Sequence, residues 1–153
     1  MEYDRNAAIA YAKQWALLRN PLYVNFDAMG GDCTNFVSQC LYAGYPEMNG
    51  TKDSGWYYHS GYQRSPSWTG VEFLYRFLVM NRGSGPRARI AGPEAAEPGD
   101  VIQLGDRSGR YYHSLLLIAQ DGEEAYVAAH TQDVWMHPLS GYARDQTRFL
   151  HIL

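Results

Sequence analysis

The stretch RYYHSLLLIAQDGEEAYVAAHT, residues 110–131, decides how the second half of the chain folds. Two runs of strand-forming residues flank a turn, which predicts a β-hairpin. Asp121-Gly122 is a strong hairpin signal, because a type I′ turn needs positive φ at both central residues. In that register His113 lies opposite His130, with Cβ atoms ~4.5–5.5 Å apart. A turn centred one residue later, on Gly122-Glu123, would instead place His113 opposite Gln132.

The rest of the chain divides into helices followed by strands. Helices are predicted within residues 3–21, from the N-cap Asp32 to residue 44, and over 69–83, where Thr69 and Glu72 form a capping box. Residues 45–68 show no periodicity and are interpreted as a long ordered loop. EPGDVIQL (97–104) and TRFLHIL (147–153) predict further strands. This order predicts the α+β class, with N-terminal helices packed on a C-terminal antiparallel sheet, and 153 residues suit a single domain over 1–153.

Composition excludes several classes of partner. The formal net charge is −3, and the 13 Lys and Arg are scattered, so we expect no nucleic acid partner. No apolar run approaches the roughly 20 residues that span a bilayer, so we expect no membrane insertion. The N-terminus has no signal peptide pattern. The compartment stays open, because a domain cut from a secreted precursor, extracellular or in the cell wall, would have the same sequence.

The two cysteines have different surroundings. Seven residues apart on one helix, Cys33 and Cys40 would be about 10 Å apart along the axis, beyond the ~7 Å limit for a disulfide. Cys33 lies in the first turn, where the helix dipole lowers a thiol pKa and free N–H groups can bind an oxyanion. Cys40 follows Phe36 on the apolar stripe and is predicted to be core.

A thiol and two histidines match the roles of a cysteine hydrolase. Cys33 is predicted to be the nucleophile, His113 the base and His130 the group that orients the base, with Asp133 or Gln132 in its place if the hairpin is shifted. The same Cys-His-His set could bind zinc with an open fourth position, although the spacing is not that of a local zinc motif. A binding module without turnover is the remaining alternative. We expect no metal and no other cofactor.

Several segments together resemble a known family. YDRNAAIAYAKQWA, GGDCTNFVSQCLYAG, SPSWTGV and AHTQD are similar to the bacterial "putative amidase domain", a branch of the NlpC-like and CHAP-like papain-fold cysteine hydrolases. The resemblance covers residue 3 to about residue 133. It implies a papain-like, NlpC-type fold, with the catalytic roles on Cys33, His113 and His130. It also implies a peptide or other amide substrate, with a bacterial cell-wall peptide as the expected one.

Aromatic residues near this site are candidates for a substrate groove. We expect the substrate to contact Asp32, Trp56, Tyr57 and Trp68. For each aromatic residue the alternative is packing in the core.

Overall fold

All four α-helices lie in the first 80 residues of the computed structural model, which describes residues 1–153. The four helices are α1 (Arg5–Trp15), α2 (Cys33–Gly44), α3 (Pro66–Thr69) and α4 (Val71–Met80). The predicted loop before α3 contains a small hairpin of β1 (Tyr58–Ser60) and β2 (Gln63–Arg64). No helix is both long enough and apolar enough to cross a bilayer.

The second half forms a six-stranded antiparallel sheet with strand order β3-β8-β4-β5-β6-β7. Its strands are β3 (Ala88–Ala91), β4 (Val101–Gly105), β5 (Tyr111–Asp121), β6 (Glu124–Ala129), β7 (Val134–Pro138) and β8 (Gln146–Ile152). The α+β prediction is confirmed, as are the four predicted strands β4, β5, β6 and β8. The sequence patterns did not indicate β3 and β7, which are the two edge strands.

The two faces of the sheet are covered differently. Leu116 and Ala128 pack with α1 and α2, on what we call the helix face. Leu115 and Val127 point the other way, to the loop face, which is covered by the segment after β7. Because side chains alternate along a strand, His113 shares the loop face with Leu115.

Of the two hairpin registers considered, the one centred on Asp121-Gly122 is wrong and the alternative centred on Gly122-Glu123 is found. Asp121 pairs with Glu124, so the connecting residues are Gly122-Glu123. Of these two, only Gly122 has positive φ, at 61°, which is the pattern of a type II′ turn rather than type I′. A bulge after Leu117 shifts the pairing once more.

His113 and His130 are consequently not cross-strand neighbours. Pairing with β6 begins at Leu116, and β6 ends at Ala129. The first residues of β5, including His113, therefore pair with β4 alone.

Helix boundaries also differ from the predicted ones. α1 ends at Trp15, and Asp4 caps it by accepting a hydrogen bond from the backbone N–H of Ala7. The predicted capping box is wrong, because α4 begins at Val71 and has no side-chain cap. The Glu72 carboxylate instead accepts a hydrogen bond from Arg148 at 3.1 Å.

Candidate active site

Cys33 is the first residue of α2 and lies against β5. Its side chain is buried, and its Sγ lies 3.8 Å from Oγ1 of Thr34. The Thr34 hydroxyl in turn lies 3.0 Å from the hydroxyl of Ser114 on β5. These contacts fix the helix start to the strand that carries His113. Both cysteines are free thiols, and Cys40 is fully buried in the core as predicted.

The thiol is protonated at neutral pH. Burial raises the pKa of Cys33, while the backbone N–H of Ser114 and the Thr34 hydroxyl lower it to a smaller extent. The predicted lowering of the Cys33 pKa is therefore not found, because removal of the thiolate from water outweighs these hydrogen bonds. The Ser114 contact also places the sulfur beside the stretch of β5 that β6 leaves unpaired.

His113 is buried and neutral. Burial lowers its pKa to about 4, and neither a charge nor a hydrogen bond contributes to that shift. Its ring centroid lies 5.6 Å from that of Tyr142. No hydrogen bond joins it to Cys33 in this structure. A neutral imidazole of this kind is able to accept a proton.

His130 lies immediately after β6, and its ring contacts the start of α2 and the end of α1. Its Nδ1 is 2.5 Å from Oδ2 of Asp32, and its Nε2 is 2.8 Å from the carbonyl oxygen of Trp15. The ring stacks on Phe36 with centroids 4.1 Å apart. The expected hydrogen bond from His130 to His113 is absent, because both ring nitrogens are engaged elsewhere.

Asp32 occupies the N-cap position without capping the helix. Its carboxylate accepts hydrogen bonds from the Phe26 N–H at 2.8 Å and the Asn35 amide at 2.9 Å, in addition to the contact with His130. Burial acts to raise the pKa of Asp32, but the hydrogen bonds from His130, Phe26 and Asn35 lower it overall. Because the side chain is fully buried and fully engaged, the predicted contact with substrate is wrong.

Arg19 joins the loop after α1 to the segment after β6. Its guanidinium donates to both carboxylate oxygens of Asp133, at 2.8 and 2.9 Å, and to Asp27 at 2.9 Å. Asp133 is thus held by Arg19, and Gln132 is exposed, so the structure places neither against His113. The patterns did not indicate Arg19, because its partner Asp133 is 114 positions away in sequence.

The predicted aromatic groove is wrong for two of its three residues. Trp56 and Trp68 are both 0% exposed, and their ring centroids are 4.6 Å apart in the main core. Each indole N–H is satisfied internally, Trp68 donating to Asn35 and Trp56 to Ser38. Tyr57 is half-buried and stacks on His59 at the surface.

Metal-binding geometry is not found at these residues. No group of three or more His, Cys, Asp or Glu side chains is placed so that it could hold a metal ion. The suggested zinc ligands do not converge, because His130 faces Asp32.

One known protein family matches nearly the whole length of this chain. The family described as "Putative amidase domain" matches residues 2–153, and its name indicates action on an amide bond. "Uncharacterized protein YhbB" of Bacillus subtilis (strain 168) is 39% identical over 137 residues, which cover 86% of this chain and 42% of that protein. The chain thus spans less than half of that relative. No solved structure matches. The chain belongs to the putative amidase domain family.

Proposed function

We propose that this protein hydrolyses an amide bond, with Cys33 as nucleophile and His113 as general base. The observation that carries the proposal is the placement of Cys33, a free thiol at the N-terminus of α2 that faces the backbone N–H of Ser114 on β5. The residue before Ser114 is His113, whose imidazole has no hydrogen-bond partner. A thiol, a base and a free helix N-terminus are the components of acyl transfer to sulfur.

The reaction begins with two neutral groups. His113 accepts the thiol proton as Sγ attacks the amide carbonyl carbon, and the carbonyl electrons move to oxygen. The backbone N–H of Cys33 donates to no acceptor within the protein, so it is free to hold that oxyanion. His113 then gives its proton to the amide nitrogen, the C–N bond breaks and the amine leaves. Water then attacks the thioester carbon and gives a proton to His113. The C–S bond breaks, the acid leaves, and His113 returns the proton to the sulfur.

His130 and Asp32 have a positioning role in this proposal. Asp32 immediately precedes Cys33, and its carboxylate is held by His130 from one side and by the Phe26 N–H from the other. Together they fix the backbone from which the nucleophile projects. A thiol on a helix packed against an antiparallel sheet that carries the histidine is also the arrangement expected of a papain-like, NlpC-type fold, which we propose for this chain.

The proposed substrate is a peptide, with bacterial cell-wall peptides as the first candidates. Gly30 and Gly31 precede the site with φ of 98° and 107°, and a side chain at Gly30 would meet nothing within 4 Å. An extended peptide backbone could therefore approach Cys33 closely from this side. Because the matched relative comes from a bacterium, bacterial peptides are the first substrates to test.

Two cysteine variants test the proposal. We would incubate the wild type, Cys33→Ala and Cys40→Ala with soluble muropeptides from bacterial peptidoglycan and with N-acetyl-L-alanine p-nitroanilide, and measure released amine. We expect Cys33→Ala to lose all hydrolysis and Cys40→Ala to retain it, provided circular dichroism shows both folded. Hydrolysis by Cys33→Ala would exclude the thiol mechanism. Binding of muropeptides by a wild type that releases no amine would instead support a binding module.

A further inference from the structure

The hydroxyl of Tyr142 is a buried donor without a partner. Among the buried side-chain nitrogen and oxygen atoms, only this oxygen and Nε of Arg19 lack a hydrogen bond. Arg19 Nε at least lies 3.4 Å from a carboxylate oxygen of Asp32. Buried polar groups are nearly always satisfied, so the Tyr142 hydroxyl is directed at something that the protein itself does not supply.

Tyr142 is held firmly on the loop face. Its backbone N–H donates to the carbonyl oxygen of Leu139 at 3.1 Å, and its ring packs on the apolar cluster of that face. The ring lies 5.6 Å from that of His113, and it meets His137 edge-on at 5.1 Å. These contacts fix the ring, and therefore the direction of the hydroxyl.

The same hydroxyl stays protonated next to the proposed base. Burial raises the pKa of Tyr142, and a negative charge on Cys33 would raise it further. The phenol therefore stays protonated and remains a donor. The Tyr142 ring thus packs against His113, and the next residue, Ser114, offers its backbone N–H to the Cys33 sulfur, with no hydrogen bond among the side chains of Cys33, His113 and Tyr142.

We propose that Tyr142 is a further catalytic residue, whose hydroxyl donates a hydrogen bond to the carbonyl oxygen of the amide that Cys33 attacks. This inference rests on the proposed function. The carbonyl oxygen can only accept, and it gains negative charge as the C–S bond forms. The Tyr142 hydroxyl is the second donor to this oxyanion beside the Cys33 N–H, and no proton passes between them. When the C–N bond breaks, the charge returns to the carbonyl and the hydrogen bond weakens.

The variant Tyr142→Phe removes this oxygen and keeps the ring contacts. With soluble muropeptides as substrate, we expect kcat to fall by about 10²-fold and KM to change little, as for the loss of one oxyanion donor. Alkylation of Cys33 by iodoacetamide should proceed at the wild-type rate, because that reaction places no charge on a carbonyl oxygen. The urea midpoint should stay unchanged or rise, since the variant removes an unsatisfied buried group.

Tyr112→Phe is the matched control. The hydroxyl of Tyr112 is outside the proposed site and donates to the carbonyl oxygen of Ala143, the residue that follows Tyr142. If tethering of this loop were the cause of the effect, both variants would lose activity, and we expect only Tyr142→Phe to do so.

Each other outcome counts against a specific claim. Unchanged kcat in Tyr142→Phe, with Cys33→Ala inactive, would overturn the role of Tyr142 and leave the proposed function standing. A lower urea midpoint in Tyr142→Phe would show a structural role for the hydroxyl and overturn the inference. Hydrolysis by Cys33→Ala would overturn both proposals.

Discussion

The buried imidazole of His113 should make stability depend on pH. Its pKa is lowered from the ordinary 6.5 to about 4 by burial. Between these values the unfolded chain binds a proton that the folded protein does not bind, so acid favours unfolding. The stability contribution of this neutral ring is fully present above pH 6.5 and is lost as the pH falls toward 4. At about 1.36 kcal/mol per pKa unit the whole effect is about 3 kcal/mol, of which about 2 kcal/mol is lost by pH 5.

The assay compares pH slopes rather than absolute stabilities. Urea unfolding of the wild type and of His113→Gln at pH 7 and pH 5 gives the change in the free energy of unfolding for each protein. The wild type should lose about 2 kcal/mol more than the variant over this interval, because glutamine does not titrate. His59→Gln, at an exposed position on β1, controls for the loss of any one histidine and should follow the wild type. Equal slopes for the wild type and His113→Gln would refute the reasoning that burial keeps this ring neutral.

Two further predictions concern the start of α2. Asp32→Asn removes the carboxylate charge that faces His130 in a fully buried pair. We expect the free energy of unfolding measured in urea to fall by about 3 kcal/mol. A fall below about 1 kcal/mol would show that the pair does not hold this helix end. Iodoacetamide should alkylate Cys33 slowly at pH 7 and faster only above the pH range in which an ordinary thiol ionises, with Cys40 unmodified throughout. Mass spectrometry of the tryptic peptides measures both rates, and a rate for Cys33 that is already maximal at pH 7 would contradict the raised pKa.

Local sequence patterns predicted the α+β architecture because each element carries its own signal. The apolar spacing of α2 and the strand-forming runs of β4, β5, β6 and β8 are properties of short windows, and all five elements form where the patterns place them. The same holds for Cys40, which lies on the apolar stripe and is buried. Cys33 likewise begins the helix as predicted.

The pairing of the two histidines could not be predicted in this way. A shift of the turn by one residue moves every cross-strand partner, and the later bulge between Leu117 and Ala119 moves them again. Neither event has a distinct local signal, because Asp121-Gly122 and Gly122-Glu123 are both acceptable turn centres. The structure has the turn centred on Gly122-Glu123.

Asp32 and His130 show a second limit of local reasoning. Asp32 has the sequence of an N-cap, yet its carboxylate bonds to a histidine 98 positions later. The His130 ring and the Phe26 and Asn35 donors together satisfy the buried carboxylate, so the tertiary partners take precedence over the local cap. The predicted groove position of the tryptophans was wrong for a related reason. Their spacing in the sequence does not distinguish a groove from a core, and Trp56 and Trp68 pack on each other in the core.

Burial acts on Cys33 and His113, the two groups proposed to react, in the direction that removes charge. It raises the pKa of Cys33 and lowers that of His113, so in the resting state the thiol and the imidazole are both neutral and do not form an ion pair. A protonated thiol is a poor nucleophile toward oxidants and stray electrophiles. The attacking thiolate then has to form together with the oxyanion, at the moment when the Cys33 N–H and the Tyr142 hydroxyl acquire their acceptor. In this scheme reactivity depends on a correctly placed carbonyl, so recognition of the amide and activation of the sulfur are the same event.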